Sequence, residues 1–255
     1  MVQLKTDTSI EAMRETGRVV AQLLTAVREA AAVGVSLREL DEVARGVLRE
    51  AGAGSPFLNY RPHFAPTPFP AVICASVNDA IVHGIPTDQR LRDGDLVSID
   101  AGATLDGWAG DSAISFTVGR ARPADTRLID TAFAALEAGI AAAAVGNRIG
   151  DIAHAIGTVC RSAGYGIPEG FGGHGVGRSM HEDPAVPNEG RPGRGMPLRH
   201  GMVLAIEPML IGSGKDSFHP DRDGWTLRTS DGSRAAHAEH TVAITDDGPR
   251  ILTAL

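Results

Sequence analysis

Residues 94–118 read GDLVSIDAGATLDGWAGDSAISFTV. Asp106-Gly107 is a two-residue turn signal between two runs of apolar and small residues, so 96–105 and 108–118 are expected to pair as a β-hairpin. That turn sets Leu105 opposite Trp108 and hence Asp100 opposite Ala113. Cross-strand partners share a face of the sheet, and so do residues i and i+2. Asp100 and Asp111 therefore become diagonal neighbours on one face, roughly 7–8 Å apart between Cα atoms. Two carboxylates so placed repel each other unless cations lie between them.

Working outward, GMVLAIE at 201–207 repeats the design of GDLVSID at 94–100. Both begin at Gly, continue as an apolar strand and end in a carboxylate, Asp100 in one and Glu207 in the other. Each is followed by a second acidic residue that opens a strand, Asp111 in GDSAISFTV and Glu239 in AEHTVAIT. An unpaired carboxylate on a buried strand costs roughly several kcal/mol, so it should be paired or bound to a metal. The residue two before each, Ser98 or Ala205, is small and leaves room on the same face. No Lys or Arg stands near these four carboxylates on their strands, and one such side chain would not balance four charges. Two divalent cations would.

The helices repeat as well. AAVGVSLRELDEVARGVLREAG at 31–52 lies over AAVGNRIGDIAHAIGTVCRSAG at 143–164, a shift of 112 positions. Ser36 with Glu39 forms a capping box ahead of i, i+3, i+4 apolar spacing, and Gly52 closes that helix. Thr8 with Glu11 is expected to cap an earlier helix that includes Met13, Val19, Val20, Leu23, Leu24 and Val27. The chain thus reads as two related halves, about 1–120 and 121–255, each with helices and then strands. This predicts an α+β fold with pseudo-two-fold symmetry and a site between the halves. No Pro, Ser or Gly linker separates them, so 1–255 is taken as one catalytic domain. The stretch PHFAPTPFP at 62–70 and residues 190–199 are read as surface loops.

Composition bounds the function. The net charge is −7 with no basic tract, which argues against nucleic acid recognition. Hydrophobic residues at 43% and charged residues at 22% exclude a disordered or fibrous chain. The two cysteines, Cys74 and Cys160, form no CxxC pair and suit a reducing cytoplasm. The N-terminus lacks the apolar segment of a secretory signal. The longest apolar run, 140–145, is far short of the ~20 residues that span a bilayer.

Of the nine histidines, His63, His154, His200, His219 and His237 are given structural or surface roles. His240 follows Glu239 directly and should point to the opposite face. His174 in GFGGHGVG, His83 in NDAIVHGIP and His181 in GRSMHEDP sit among glycines or before turns beside the same cleft. The donor set is nitrogen and oxygen only, which argues against a structural zinc site. It suits Mn, Fe(II), Co or Zn in a hydrolytic pair of ions. A two-His, one-carboxylate iron site would use fewer acids.

The motifs SVNDAIVHGIP (76–86), GDLVSIDAG (94–102), GDSA (110–113), GGHGVGRSMHEDP (172–184), AIEPM (205–209) and DGWTLRTSDGSRAAHAEHT (223–241) resemble the type I methionine aminopeptidases, and the resemblance runs over almost the whole chain. It implies the pita-bread fold of the M24 metallopeptidases, in which helices cover an antiparallel sheet. It implies metal ligands at Asp100, Asp111, His174, Glu207 and Glu239, with Asp111 and Glu239 serving both ions. It also implies substrate contacts from His83 near the leaving nitrogen and His181 at the scissile carbonyl, with Glu207 as proton acceptor from a metal-activated water. The implied reaction is removal of N-terminal methionine from nascent polypeptides whose second residue is small, by a cytoplasmic monomer with the ribosome as a candidate partner.

Aromatic residues that the family commonly carries before Cys74 and before His181 are replaced here by PHFAPTPFP, with Phe69 but no Tyr, and by Met180. Phe69, Cys74, Met180 and Trp225 are the expected walls of a methionine pocket. A zinc-binding N-terminal extension is not expected, nor are long insertions between His181 and Glu239, and both features favour the short bacterial form. The rival readings are a prolidase or X-Pro aminopeptidase of the same fold, and a catalytically dead homologue that binds peptides.

Overall fold

The computed structural model describes residues 2–62 and 65–255; His63 lies outside them. In chain order the elements are α1 (Asp7–Ala30), α2 (Leu37–Glu50), β1 (Ile73–Val77), β2 (Ala80–Val82), β3 (Leu96–Leu105) and β4 (Trp108–Thr117). They continue with α3 (Pro123–Ala142), α4 (Ile149–Ser162), β5 (Gly172–Gly175), β6 (Glu182–Pro187), β7 (Val203–Ile206) and β8 (Met209–Ile211). The last are β9 (Phe218–Pro220), β10 (Leu227–Thr229), β11 (Ala235–His237), β12 (His240–Thr245) and β13 (Gly248–Ile251).

The repeat read from the sequence is physical. α2 and α4 occupy the matching 14-residue windows of the two helical repeats. Each starts with a backbone N–H donating to the carboxylate three residues on: Ser36 to Glu39 and Arg148 to Asp151, both at 2.7 Å. Gly52 follows α2 with φ +64, a left-handed conformation that glycine adopts without strain. The start of α1 differs from expectation. Thr6, not Thr8, is its N-cap and accepts from Ser9 N at 3.2 Å, while Glu11 pairs with Arg250 of β13 and is not free to close a box.

Strands β1-β3-β4 form one sheet and β13-β12-β7-β5-β6 another. In the first, Leu105 pairs with Trp108, Asp100 with Ala113 and Gly102 with Asp111, the register that the Asp-Gly turn dictates. Leu23, Val27 and Leu40 of α1 and α2 pack on Ile73, Val97 and Ile99. Leu136, Ile152 and Ile156 of α3 and α4 pack on Leu204, Val242 and Ile244. Each half thus carries its own helix-on-sheet core. The seam between them is tied by Glu239 N donating to Ala113 O at 2.9 Å and Thr241 Oγ1 donating to Asp111 O at 2.7 Å. Ser115 Oγ adds a donation to His237 O at 2.7 Å.

Gly17 shows packing overruling propensity. It is buried in α1, and a Cβ there would stand 2.1 Å from the Leu252 carbonyl oxygen. Alanine favours a helix interior over glycine by about 1 kcal/mol, but forcing backbone apart costs about 1–3 kcal/mol. Gly17→Ala should therefore lower stability. Gly46→Ala in α2, where the nearest atom is the Arg49 guanidinium at 3.9 Å, should raise it by up to about 1 kcal/mol. Denaturant unfolding of both variants checks the opposite signs.

Candidate metal centre

The seam brings together the acidic residues that the sequence singled out. Asp100 lies within β3 rather than at its end, because the strand continues to Leu105. Asp111 lies on β4, Glu207 directly after β7 and Glu239 directly before β12. Asp111 and Glu239 are almost wholly buried. His174, on β5, sets its Nε2 3.8 Å from Asp111 Oδ2 and 3.6 Å from Glu207 Oε1. His174 Nδ1 lies 2.9 Å from the Gly175 carbonyl. Donating a proton there leaves the Nε2 lone pair toward the carboxylates, the orientation an imidazole metal ligand requires.

Among the described residues, Asp100 Oδ1, Asp111 Oδ1 and Glu239 Oε1 are buried without a hydrogen-bond partner. Native structures rarely leave such atoms orphaned, and an ion is one of the few ways to satisfy three at once. Two ligand groups stand out, Asp111 with His174 and Glu239, and Glu207 with His237 and Glu239. The residues fit hard or borderline divalent cations with oxygen and imidazole donors.

Electrostatics without metal tell the same story. Burial, then the neighbouring carboxylates, holds Asp100, Glu207 and Glu239 well above the ordinary carboxylate range. Burial pushes Asp111 up to about 7. Burial also lowers His83 and His174 to about 4 and His237 to about 3, and lowers His181 and His240 too.

Above the carboxylates lies a cavity of ≈ 290 Å³. His83 reaches it from a residue with φ +60 at the end of β2. There a Cβ on the next residue, Gly84, would meet the Ala75 carbonyl oxygen at 2.3 Å, so the turn admits only glycine. His181 stands at the mouth with its ring 4.2 Å from that of His174 and stacked on Tyr60 at 5.4 Å. The expected walls Phe69, Cys74, Met180 and Trp225 all line the cavity. Cys74 pairs with Asp100 in the β1–β3 register; burial first, then Asp100, pushes its thiol far up, so it serves as a small apolar surface.

Two residues were missed. Tyr60 supplies the tyrosine that PHFAPTPFP lacks, from just upstream of that loop. His237, read as structural, has its Nε2 3.4 Å from Glu207 Oε2 and 4.0 Å from Glu239 Oε2. The signal was present, since His237 is two residues before Glu239 and should share its face. His240 does face away, its Nδ1 2.9 Å from Thr253 Oγ1. His154 and His219 are exposed, and His200 meets Asp7 and Asp246 on the surface.

The shifts set a pH profile for the metal-free protein. Above the unfolded carboxylate range the folded state binds extra protons at these carboxylates, at Asp111 up to about 7, so rising pH destabilises it. The histidines act oppositely between about 4 and 6.5, where the unfolded state binds the extra protons. The two sets offset each other below about pH 6.5, the unperturbed histidine value. Above it only the carboxylates remain, each contributing on the order of 1.4 kcal/mol of loss per pH unit while still protonated. Metal-stripped protein should therefore melt at a falling temperature as pH rises past ~6.5, and saturating metal should remove that decline. Thermal melts from acid to mildly alkaline pH, with and without metal, check it; identical profiles would contradict it.

The model of metallopeptidase family M24 matches residues 11–246. The chain is 56% identical over 252 residues to methionine aminopeptidase 1 of Mycobacterium tuberculosis, covering 96% of this chain and 92% of that protein. The crystal structure of methionine aminopeptidase from Thermotoga maritima superposes with a TM-score of 0.95 at 37% identity, each chain covered fully, 100% and 100%. The prolidase from Pyrococcus furiosus matches at TM-score 0.78 and 22% identity, covering 99% of this chain but 65% of that one, a likeness of fold alone. A pita-bread fold built on two helix-covered halves, buried acids fit for divalent metal at their seam, and relatives matched end to end place the chain in metallopeptidase family M24, among its methionine aminopeptidases, which are metal-dependent hydrolases.

Proposed function

We propose that the chain acts as one catalytic domain that removes N-terminal methionine from polypeptides whose second residue is small. Two divalent ions would be held by Asp100, Asp111, His174, Glu207 and Glu239, with Asp111 and Glu239, the most buried of these four carboxylates, serving both. The observation that carries this reading is the convergence of orphaned carboxylate oxygens at the floor of a cavity with apolar walls. The donor set suits Co, Mn, Fe(II) or Zn. When bound, the ions supply Lewis acidity to the carbonyl and lower the pKa of a water.

The chain's own groups do the rest. Glu207 accepts the proton of the attacking water and passes it to the departing amine. His181, at the mouth, donates to the oxyanion that develops on the scissile carbonyl. His83 faces the leaving nitrogen, and its ring meets Trp225 edge-on at 6.4 Å. Phe69 and Trp225, 5.0 Å apart, with the unionised Cys74, form an apolar slot for an unbranched methionine side chain. A buried free α-amino group would find carboxylates there, which restricts action to chain ends.

The partners are polypeptide N-termini as they emerge from synthesis, with the ribosome the nearest assembly, and the compartment is the cytoplasm. Both cysteines are free and buried, and no helix among the described residues is long and apolar enough to cross a membrane. A monomer suffices, because every group named comes from one chain.

Replacing His181 with Ala should lower kcat by about 10²–10³ while leaving metal content unchanged; steady-state kinetics with metal analysis decides this, and a near wild-type rate would remove His181 from the mechanism. The substrate reading predicts that Met-Gly and Met-Ala peptides are cleaved far faster than Met-Lys peptides, measured as kcat/KM on metal-loaded enzyme. Equal turnover would contradict it.

A further inference from the structure

We infer that His237 is a positioning residue whose Nε2–H donates to Glu207 Oε2 and holds that carboxylate with Oε1 toward His174. The inference rests on the role proposed for Glu207. His237 is 1% exposed, and its Nε2 has no hydrogen-bond partner among the described residues. The carboxylate oxygens around it are Glu207 Oε2 at 3.4 Å and Glu239 Oε2 at 4.0 Å.

Its backbone is fixed from across the seam. His237 N donates to Ser115 Oγ at 3.0 Å, and the same hydroxyl donates to His237 O at 2.7 Å. In the β11–β8 register His237 pairs with Met209, two residues after Glu207. Glu207 therefore lies between two imidazoles, one to each oxygen: His174 Nε2 is 3.6 Å from Oε1 and His237 Nε2 3.4 Å from Oε2.

Once the carboxylates are ionised, as metal binding requires, an Nε2 lone pair aimed at two of them would be repelled, with no solvent to relieve it. The proton consequently resides on Nε2, whether the ring is neutral or charged. A few tenths of an ångström of closure completes the bond. The rival role, His237 as a ligand shared with Glu207 and Glu239 to one of the two ions, predicts a change in the number of ions bound, which the titration below reads. Outer hydrogen bonds to ligating carboxylates of this kind are typically worth about 10–100-fold in metal affinity or activity.

The test uses the full chain with His237→Gln, whose amide N–H reaches about as far as Nε2, and His237→Leu, which fills the space without a donor. Metal-stripped proteins are titrated with Mn(II) and Co(II) by calorimetry, and loaded proteins are assayed on a Met-Gly peptide. The Leu variant should bind the same number of ions about 10–100-fold more weakly, and lose kcat with little change in KM. The Gln variant should recover affinity and kcat to within about threefold of wild type, because the donor alone is at stake. A Leu variant equal to wild type overturns the inference. So does a Gln variant as impaired as Leu with one ion fewer bound, which would make His237 a ligand. If Leu does not fold, His237→Asn, whose amide falls short of Glu207, takes its place with the same expectation. The calorimetric arm contains no peptide, so wild-type protein that binds metal but cleaves no Met-Gly would reject the proposed activity while leaving the His237 result standing.

Discussion

Four carboxylates converge in a buried seam, and among the described residues no cationic side chain lies beside them. That is the constraint on which the molecule depends. Bringing one unpaired carboxylate out of water costs roughly several kcal/mol, and here Asp100, Asp111, Glu207 and Glu239 press on one another besides. The metal-free protein meets this by holding protons where carboxylates normally have none, as Asp111 at about 7 records. Two separate helix-covered cores, one per half, supply the apolar burial that tolerates such a seam. Metal then becomes part of the folding equilibrium, because it replaces protons in the folded state and finds no such site in the unfolded chain.

How much of this was legible follows the range of each interaction. The β3–β4 register was readable because a two-residue turn fixes it within a few residues, and Asp100 opposite Ala113 came out as expected. The helical repeat was readable because capping and periodicity are local. The N-cap of α1 was misplaced by two residues because Thr6 and Thr8 are both hydroxyl caps by local rules, and the structure shows Thr6 accepting from Ser9 N. The seam pairing of Ala113 with Glu239 was reachable only through the repeat. Tyr60 escaped because the loop that brings it onto His181 has no period to read. His237 is the instructive case. Alternation placed it beside Glu239, but a lone histidine between alanines offers no motif, and only the fold reveals the second carboxylate, Glu207, across from it.

The two halves are alike in their acids and unlike in their histidines. Each half contributes two carboxylates, and α2 and α4 keep the same length and the same backbone-to-carboxylate start. Among the described residues the first half supplies His83 to the cleft, from a turn with φ +60, whereas the second supplies His174 and His181 to it and His237 beside Glu207. Symmetric acids suit a pair of like ions, since each ion needs similar neutralisation.

A peptide is not symmetric, and a site that cleaves only the first bond must tell its two ends apart. The carboxylates alone cannot do this. The distinction has to come from what breaks the symmetry: the Phe69 and Trp225 wall that closes one side, and the His181 and Tyr60 stack that leaves the other open. His237 belongs to the same division. It meets Glu207, whereas Asp100, the corresponding acid of the first half, pairs with Cys74 of β1, a thiol that burial keeps unionised. One of two corresponding carboxylates thereby lies between two imidazoles, 3.6 and 3.4 Å from its oxygens, while the other lies beside an inert thiol. That difference in surroundings favours the role we propose for Glu207 as proton acceptor over the same role for Asp100.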